Sequence, residues 1–243
     1  MASDALSKTI TSYAHYQQLR KGLDETQETP MFTKGSWAFP KSQLILWYKD
    51  GEASSRIQFP NSSNVELKLL SEACQPATFG RNHKDVLDES YRLARKMDAQ
   101  DFSINLGFEF YEMLTQAVSR LFGVENSDKS FRAQLYKLNV YGPGSFFKAH
   151  KDTPRADNMF GSLVLVLPTE HEGGALLLRD GLKELRFESA ESPDATVGSA
   201  SVPWAVFYSQ VEHEVLPVIT GYRVTLTYVS LMTGPVSLLT AII

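Results

Sequence analysis

The 243-residue chain has a single cysteine, Cys74. One thiol excludes an intramolecular disulfide framework, a zinc finger and a cysteine-ligated iron–sulfur cluster. Any bound metal must then be held by imidazole and carboxylate, and there are only five histidines: His15, His83, His150, His171 and His213. Long apolar runs are missing too. None reaches the ~18 residues that a membrane span requires, and the apolar ending Ser237-Leu-Leu-Thr-Ala-Ile-Ile243 is far shorter. A basic excess is also absent: 24 Lys and Arg stand against 28 Asp and Glu, for a formal net charge of −4, which argues against a nucleic-acid partner. The opening Met-Ala-Ser-Asp-Ala-Leu-Ser-Lys has no basic segment leading into an apolar one, so no secretory signal is read. The expectation is a cytoplasmic protein with no nucleic-acid and no membrane partner.

What is present is a globular composition, 43% apolar and 21% charged, which excludes the disordered and fibrous classes. Residues 1–35 are polar, and a short helix over about 4–22 is expected. The apolar runs Gln43–Tyr48 and Arg56–Phe59 flank Asp50-Gly51, a hairpin signal. Two helices are expected next. In the first, over Asp85–Gln100, Val86, Leu93 and Met97 and then Leu87, Tyr91 and Ala94 recur at helical spacing. In the second, over Phe108–Phe122, Phe110, Leu114, Ala117, Val118 and Leu121 form a stripe and Gly123 supplies a stop.

From residue 131 short β-rich runs alternate with Gly/Pro turns: Gln134–Tyr141, Phe146–His150, Ser162–Leu167, Ala175–Leu178, Glu184–Phe187, Ala205–Ser209, Val211–Val218 and Tyr222–Leu231. Many short strands of this kind indicate a sandwich or barrel. The expected fold class is α+β, mainly β, with a double-sheet barrel buttressed by helices from the N-terminal half. Residues 1–130 are expected to supply strands and supporting helices of the same domain, 131–232 the barrel core and 233–243 a tail.

His150-Lys-Asp152 stands at the end of an expected strand, where residues i and i+2 share a face. His213 lies on a later strand of the same region and is expected to face the pair across the barrel. Two histidines and one carboxylate make the facial triad of non-haem Fe(II) oxygenases. A surface charge pair at His150 and Asp152 and a zinc hydrolase using the same three ligands remain open on spacing alone. Arg223 follows His213 after Pro217 and Gly221, and Thr225 shares its strand face. A buried guanidinium there needs an anion, which is either a dicarboxylic cosubstrate or a nearby Asp or Glu. The other histidines, His15, His83 and His171, are read as surface residues, and Cys74 as a small buried apolar one. Gly173-Gly174 is read as a turn and close-approach element.

Three blocks carry a family resemblance. The first is Leu138-Asn-Val-Tyr141-Gly-Pro-Gly-Ser-Phe-Phe-Lys-Ala-His150-Lys-Asp152. The others are Ser162-Leu-Val-Leu-Val-Leu-Pro168 with Glu172-Gly-Gly-Ala-Leu-Leu-Leu178, and His213-Glu-Val-Leu-Pro-Val-Ile-Thr-Gly-Tyr-Arg223-Val-Thr-Leu-Thr227. Over about 134–229 the chain resembles the Fe(II)/2-oxoglutarate-dependent oxygenases, in their prolyl 4-hydroxylase-like branch. The resemblance implies a double-stranded β-helix (jelly-roll) and the cofactors Fe(II), 2-oxoglutarate and O2. It implies His150, Asp152 and His213 as metal ligands, and Arg223, with Tyr141 and Thr225, as cosubstrate-binding residues. Where prolyl hydroxylases often carry another tyrosine on the strand after the turn, this chain has Leu165 and Val166, which weakens the case for a peptidyl-proline substrate.

The implied reaction oxidises a C–H bond of a small molecule or amino acid, by hydroxylation, desaturation or cyclisation, releasing succinate and CO2. A peptide substrate, as for a protein prolyl 4-hydroxylase, comes second. A non-catalytic jelly-roll metal-binding module comes third, and the intact ligand set argues against it. Arg155, just after the metal turn, is either a carboxylate anchor for such a substrate or a solvated loop residue.

Overall fold

A hairpin turns at Gly51, whose φ of 60° suits glycine, between Asp50 and Ala53. The computed structural model that shows it describes residues 30–81, 84–122, 130–153, 156–189 and 198–233. The expected helix at 4–22, the stop at Gly123, His15, His83, Arg155 and residues 234–243 lie outside the described residues.

In chain order, β1 is Phe32–Pro40, β2 Ile45–Asp50 and β3 Ala53–Gln58, followed by helix α1, Asn64–Ala73. Then come β4 (Gln75–Pro76), β5 (Phe79–Arg81), β6 (Lys84–Val86), β7 (Arg92–Leu93), β8 (Arg95–Asp98), β9 (Phe102–Ile104) and helix α2 (Glu109–Phe122). The remainder is β: β10 (Ser130–Tyr141), β11 (Phe146–His150), β12 (Met159–Val166), β13 (His171–Gly173), β14 (Leu176–Asp180) and β15 (Lys183–Phe187). The last strands are β16 (Ser199–Tyr208), β17 (Glu212–Val215), β18 (Val218–Gly221) and β19 (Arg223–Thr233).

Two sheets carry the architecture. The larger runs β1-β16-β12-β19-β10-β8-β4 and the smaller β15-β14-β17-β11-β7. The chain is mainly β and matches the jelly-roll expectation, although the two sheets are separate ladders rather than one closed barrel. Helix α2 packs on β1 and β16. Its expected stripe of Phe110, Leu114, Ala117, Val118 and Leu121 is buried, as its helical spacing predicts, and Met113 and Trp204 of β16 are buried with it. One cluster of buried side chains runs from Phe39 through Leu114 and Leu163 to Tyr228, so residues on both sides of position 130 share it.

The helix expected over Asp85–Gln100 is not there; that stretch forms β6, β7 and β8. Asp88 accepts from the Ser90 amide through its side chain at 3.0 Å and from the Tyr91 amide through its carbonyl at 3.0 Å, a local turn that breaks the helical ladder. Beyond the turn, β7 joins the edge of the small sheet and β8 pairs with β10 of the large one. Tertiary pairing thus overrides the helical spacing, and Leu87 and Leu93, expected on the buried stripe, are exposed. Conversely, α1 was not expected. Its signal is the reciprocal capping box of Ser63 and Glu66.

Candidate metal and cosubstrate site

A cavity of about 420 Å³ opens between the two sheets. His150 ends β11 and Asp152 follows it; His213 lies on β17, the adjacent antiparallel strand, paired directly with His150. The expectation that His213 faces the pair across the barrel is therefore corrected: the two imidazoles are cross-strand neighbours, their ring centres 4.1 Å apart. One ligand atom from each of His150, Asp152 and His213 falls in a group spanning no more than 4.8 Å.

A β-bulge aims this strand. Phe147 and His150 are three residues apart, so regular alternation would put them on opposite faces. The register shift between Phe147 and His150 brings both into the cavity lining, with the rings stacked 3.6 Å apart. The Tyr91 hydroxyl donates to the Ala149 carbonyl inside the bulge at 2.7 Å, fixing the irregular backbone. A second register shift, between Leu135 and Lys137 of β10, likewise brings both Tyr136 and Lys137 to the cavity.

The donor set is prepared for a cation. His150 Nδ1 lies 2.8 Å from the Lys148 carbonyl and His213 Nδ1 lies 3.0 Å from the Val211 carbonyl. A carbonyl only accepts, so each Nδ1 carries a proton, and in the neutral ring each Nε2 then presents a lone pair. Burial, with the neighbouring His213, pushes His150 down to about 2, so it is neutral at physiological pH. Asp152 Oδ1 lies 3.6 Å from His213 Nε2, while its Oδ2 accepts from the Ser162 hydroxyl at 2.5 Å. Two imidazole nitrogens and a hydrogen-bonded carboxylate suit Fe(II).

Arg223 begins β19 in the opposite sheet, beside Tyr141 of β10, and is 1% exposed. Burial lowers it to about 10, so it keeps its charge. Among the described residues the salt bridge to an Asp or Glu that spacing left open does not form: its Nε donates to Ser189 Oγ at 3.3 Å and its Nη2 is buried without a partner there. Its Cζ lies 5.7 Å from the Tyr141 ring centre. Gly174 has no Cβ because one would stand 2.8 Å from Arg223 Cδ. Tyr141, Arg223 and Thr225 all line the cavity that holds the metal-ligand cluster. A buried guanidinium with an unfilled donor is a fitting seat for one carboxylate of a dicarboxylic acid.

His171 corrects the surface reading. It is 7% exposed, because β13 pairs with β18 and tucks its side chain behind Arg223. Burial lowers its pKa, and the Arg223 charge adds to the effect. Cys74 is buried as expected, its thiol pushed up to about 12 by burial. Leu165 and Val166 are buried outside the cavity lining, to which β12 contributes Met159, Ser162 and Val164. Sequence reasoning missed Arg92, Lys137, Asn139 and Ser162, all in the lining. Ser162 had a legible position at the start of a strand block; Arg92 sat in a stretch read as helix.

Residues 136–229 match the model of the 2OG-Fe(II) oxygenase superfamily. The family uses Fe(II), 2-oxoglutarate and O2. No curated protein matches the chain. Among solved structures, a prolyl-4-hydroxylase from Pseudomonas putida is 20% identical, covering 85% of this chain and 95% of that one, with a TM-score of 0.49. A prolyl hydroxylase from Trichoplax adhaerens, in complex with a hypoxia inducible factor peptide fragment, is 15% identical over 95% of this chain and 93% of that one, TM-score 0.45. A 2OG-Fe(II) oxygenase family protein from Burkholderia pseudomallei is 16% identical over 69% and 78%, TM-score 0.41. No helix among the described residues is long and apolar enough to cross a membrane.

Proposed function

We propose that this chain is an Fe(II)- and 2-oxoglutarate-dependent dioxygenase that oxidises a C–H bond of a small molecule or amino acid. The observation that carries the reading is Arg223: a fully buried cation with an open donor and no acidic partner among the described residues, in the same cavity as the His150–Asp152–His213 cluster. A zinc hydrolase has no use for such a residue, and a binding module has no need of both.

In this reading His150 and His213 offer Nε2, and Asp152 offers Oδ1 while Ser162 holds its other oxygen. Arg223 receives the far carboxylate of 2-oxoglutarate, with Thr225 and Tyr141 beside it on the same cavity wall. The bound iron supplies oxygen activation coupled to decarboxylation of 2-oxoglutarate to succinate and CO2. The protein orients the reactants and excludes water, which falls to the apolar wall of Phe147, Val164, Leu176, Phe207 and Val215.

The test is anaerobic addition of Fe(II) and 2-oxoglutarate, which is expected to give a weak visible charge-transfer band. Asp152→Ala and Arg223→Ala are expected to abolish it at wild-type cosubstrate concentrations. No band, and no succinate under air, overturns the reading. Succinate release across free amino acids, small metabolites and proline peptides then decides the substrate class. A response to proline peptides alone favours a protein prolyl hydroxylase instead.

A further inference from the structure

A second arginine faces the cavity with no counter-ion among the described residues. Arg92, on β7, is 7% exposed and lines the same space as His150 and Arg223. Its Nη1 donates to the Thr78 carbonyl at 2.7 Å and its Nη2 to Asn139 Oδ1 at 2.8 Å. Both acceptors are neutral, and Nε has no partner. A guanidinium carries five N–H donors, and only two are used by these bonds. Asn139 is held in this sense by its own amide, which donates to Thr227 Oγ1 at 3.0 Å, so its oxygen faces Arg92. The Arg92 Cζ lies 4.4 Å from the Phe147 ring centre, and that ring stacks on His150. The second cation therefore stands one aromatic ring away from the metal-ligand cluster.

The charges of the lining make the point stronger. Among the described lining residues the cationic side chains are Arg92, Lys137, Lys151 and Arg223, and the one carboxylate is Asp152, which is turned to the histidines and to Ser162. A dicarboxylic cosubstrate answers to Arg223 and to a metal cation. It leaves Arg92 unmatched, and a buried charge without a counter-ion is costly. A cavity of about 420 Å³ lies within the range of sites for small organic ligands. A planar guanidinium is shaped for a carboxylate, which it can hold through two parallel hydrogen bonds.

We propose that Arg92 is a substrate-binding residue and that the primary substrate is a small organic acid whose carboxylate it holds. This rests on the oxygenase reading above. Asn139 is then a positioning residue, fixing the guanidinium plane through its hydrogen bond to Nη2.

The experiment uses the full chain loaded anaerobically with Fe(II) and saturating 2-oxoglutarate, with the charge-transfer band as proof of loading. Calorimetric titration follows with pairs of C2–C6 monocarboxylates, including α-amino and α-hydroxy acids, and their primary amides. At least one acid is expected to bind saturably and about tenfold or more tighter than its amide, the scale of one charge-assisted hydrogen bond. Arg92→Met, which keeps a stem against Phe147, is expected to lose that preference while still forming the band at unchanged 2-oxoglutarate concentration. Arg92→Lys is expected to recover part of it. Acids binding no tighter than their amides, or a preference that survives Arg92→Met, overturns the proposal and leaves Arg92 a structural tie between Thr78 and Asn139. Failure of the wild-type band overturns the oxygenase reading itself, so the two failures are distinct.

Discussion

Arg223 and Ser189, 34 residues apart in the chain, meet through a buried hydrogen bond, with the Arg223 Nε donating to Ser189 Oγ at 3.3 Å. The bond belongs to a directional chain. His171 Nδ1 faces the Thr169 carbonyl at 2.9 Å and therefore carries its proton. His171 Nε2 is then an acceptor, and Ser189 Oγ, 3.4 Å away, donates to it. The Ser189 oxygen is left to accept from Arg223. All three side chains are nine-tenths buried or more, so the polarity of the chain sets how the guanidinium is turned.

Ser189→Ala removes the acceptor and leaves Arg223 Nε unpaired in a buried place. The half-saturating 2-oxoglutarate concentration is expected to rise about tenfold, the lower end of the worth of one hydrogen bond to a charged group. Iron affinity, measured without cosubstrate, is expected to stay unchanged. Titration of the charge-transfer band checks both.

Gly174→Val tests the close approach on the other side of Arg223. Its φ is +71°, and a Cβ there would stand 2.8 Å from both Arg223 Cδ and Val218 Cγ2. Positive φ and overpacking act together, and a loss of about 2 kcal/mol of stability is expected. Denaturant unfolding measures it, and 2-oxoglutarate binding is expected to weaken in the same variant.

Ser162→Ala tests what holds Asp152. The hydroxyl that donates to Oδ2 disappears, leaving the carboxylate free to rotate. Iron binding is expected to weaken about tenfold or more, in the range of metal-supporting hydrogen bonds. His213→Ala is expected to abolish it. Equilibrium dialysis against Fe(II) under anaerobic conditions separates the two.

Metal-free stability is expected to fall with acidity, with His171 as one cause. Burial first, and the facing Arg223 charge as well, hold its folded pKa below the ordinary imidazole value of 6.5, opposed by the Thr169 hydrogen bond and the Glu188 charge. The unfolded chain therefore takes up a proton at His171 before the folded one does. Its contribution is fully present above pH 6.5 and is lost as the pH falls through the folded pKa. Urea unfolding of the metal-free protein between neutral and mildly acid pH is expected to show this slope, and His171→Asn to flatten it.

Much of the β region was legible because its strands alternate and its turns carry Gly and Pro, as at Phe146–His150, which the structure reproduces residue for residue. The stripe of α2 was legible for the same reason at another period. The stretch around Arg92 was not. Its apolar residues fit a helix, and the two strands that claim it come from residues about forty to fifty-five positions on, which no local window contains. His171 was misplaced for a related reason: a polar turn sequence says nothing of β18 closing over it.

The amino-acid sequence by itself determined the ligand types, their order and their spacing: one cysteine, two histidines and a carboxylate with a following arginine, set in strands of readable period. Only the tertiary structure decided which faces those strands turn to one another. A bulge puts Phe147 and His150 on one side against the rule of alternation. Pairing of β7 with β11 brings a second arginine, Arg92, into the cavity lining. Both are effects of hydrogen-bond register between distant segments, and register is a property of the assembled sheet rather than of any one strand.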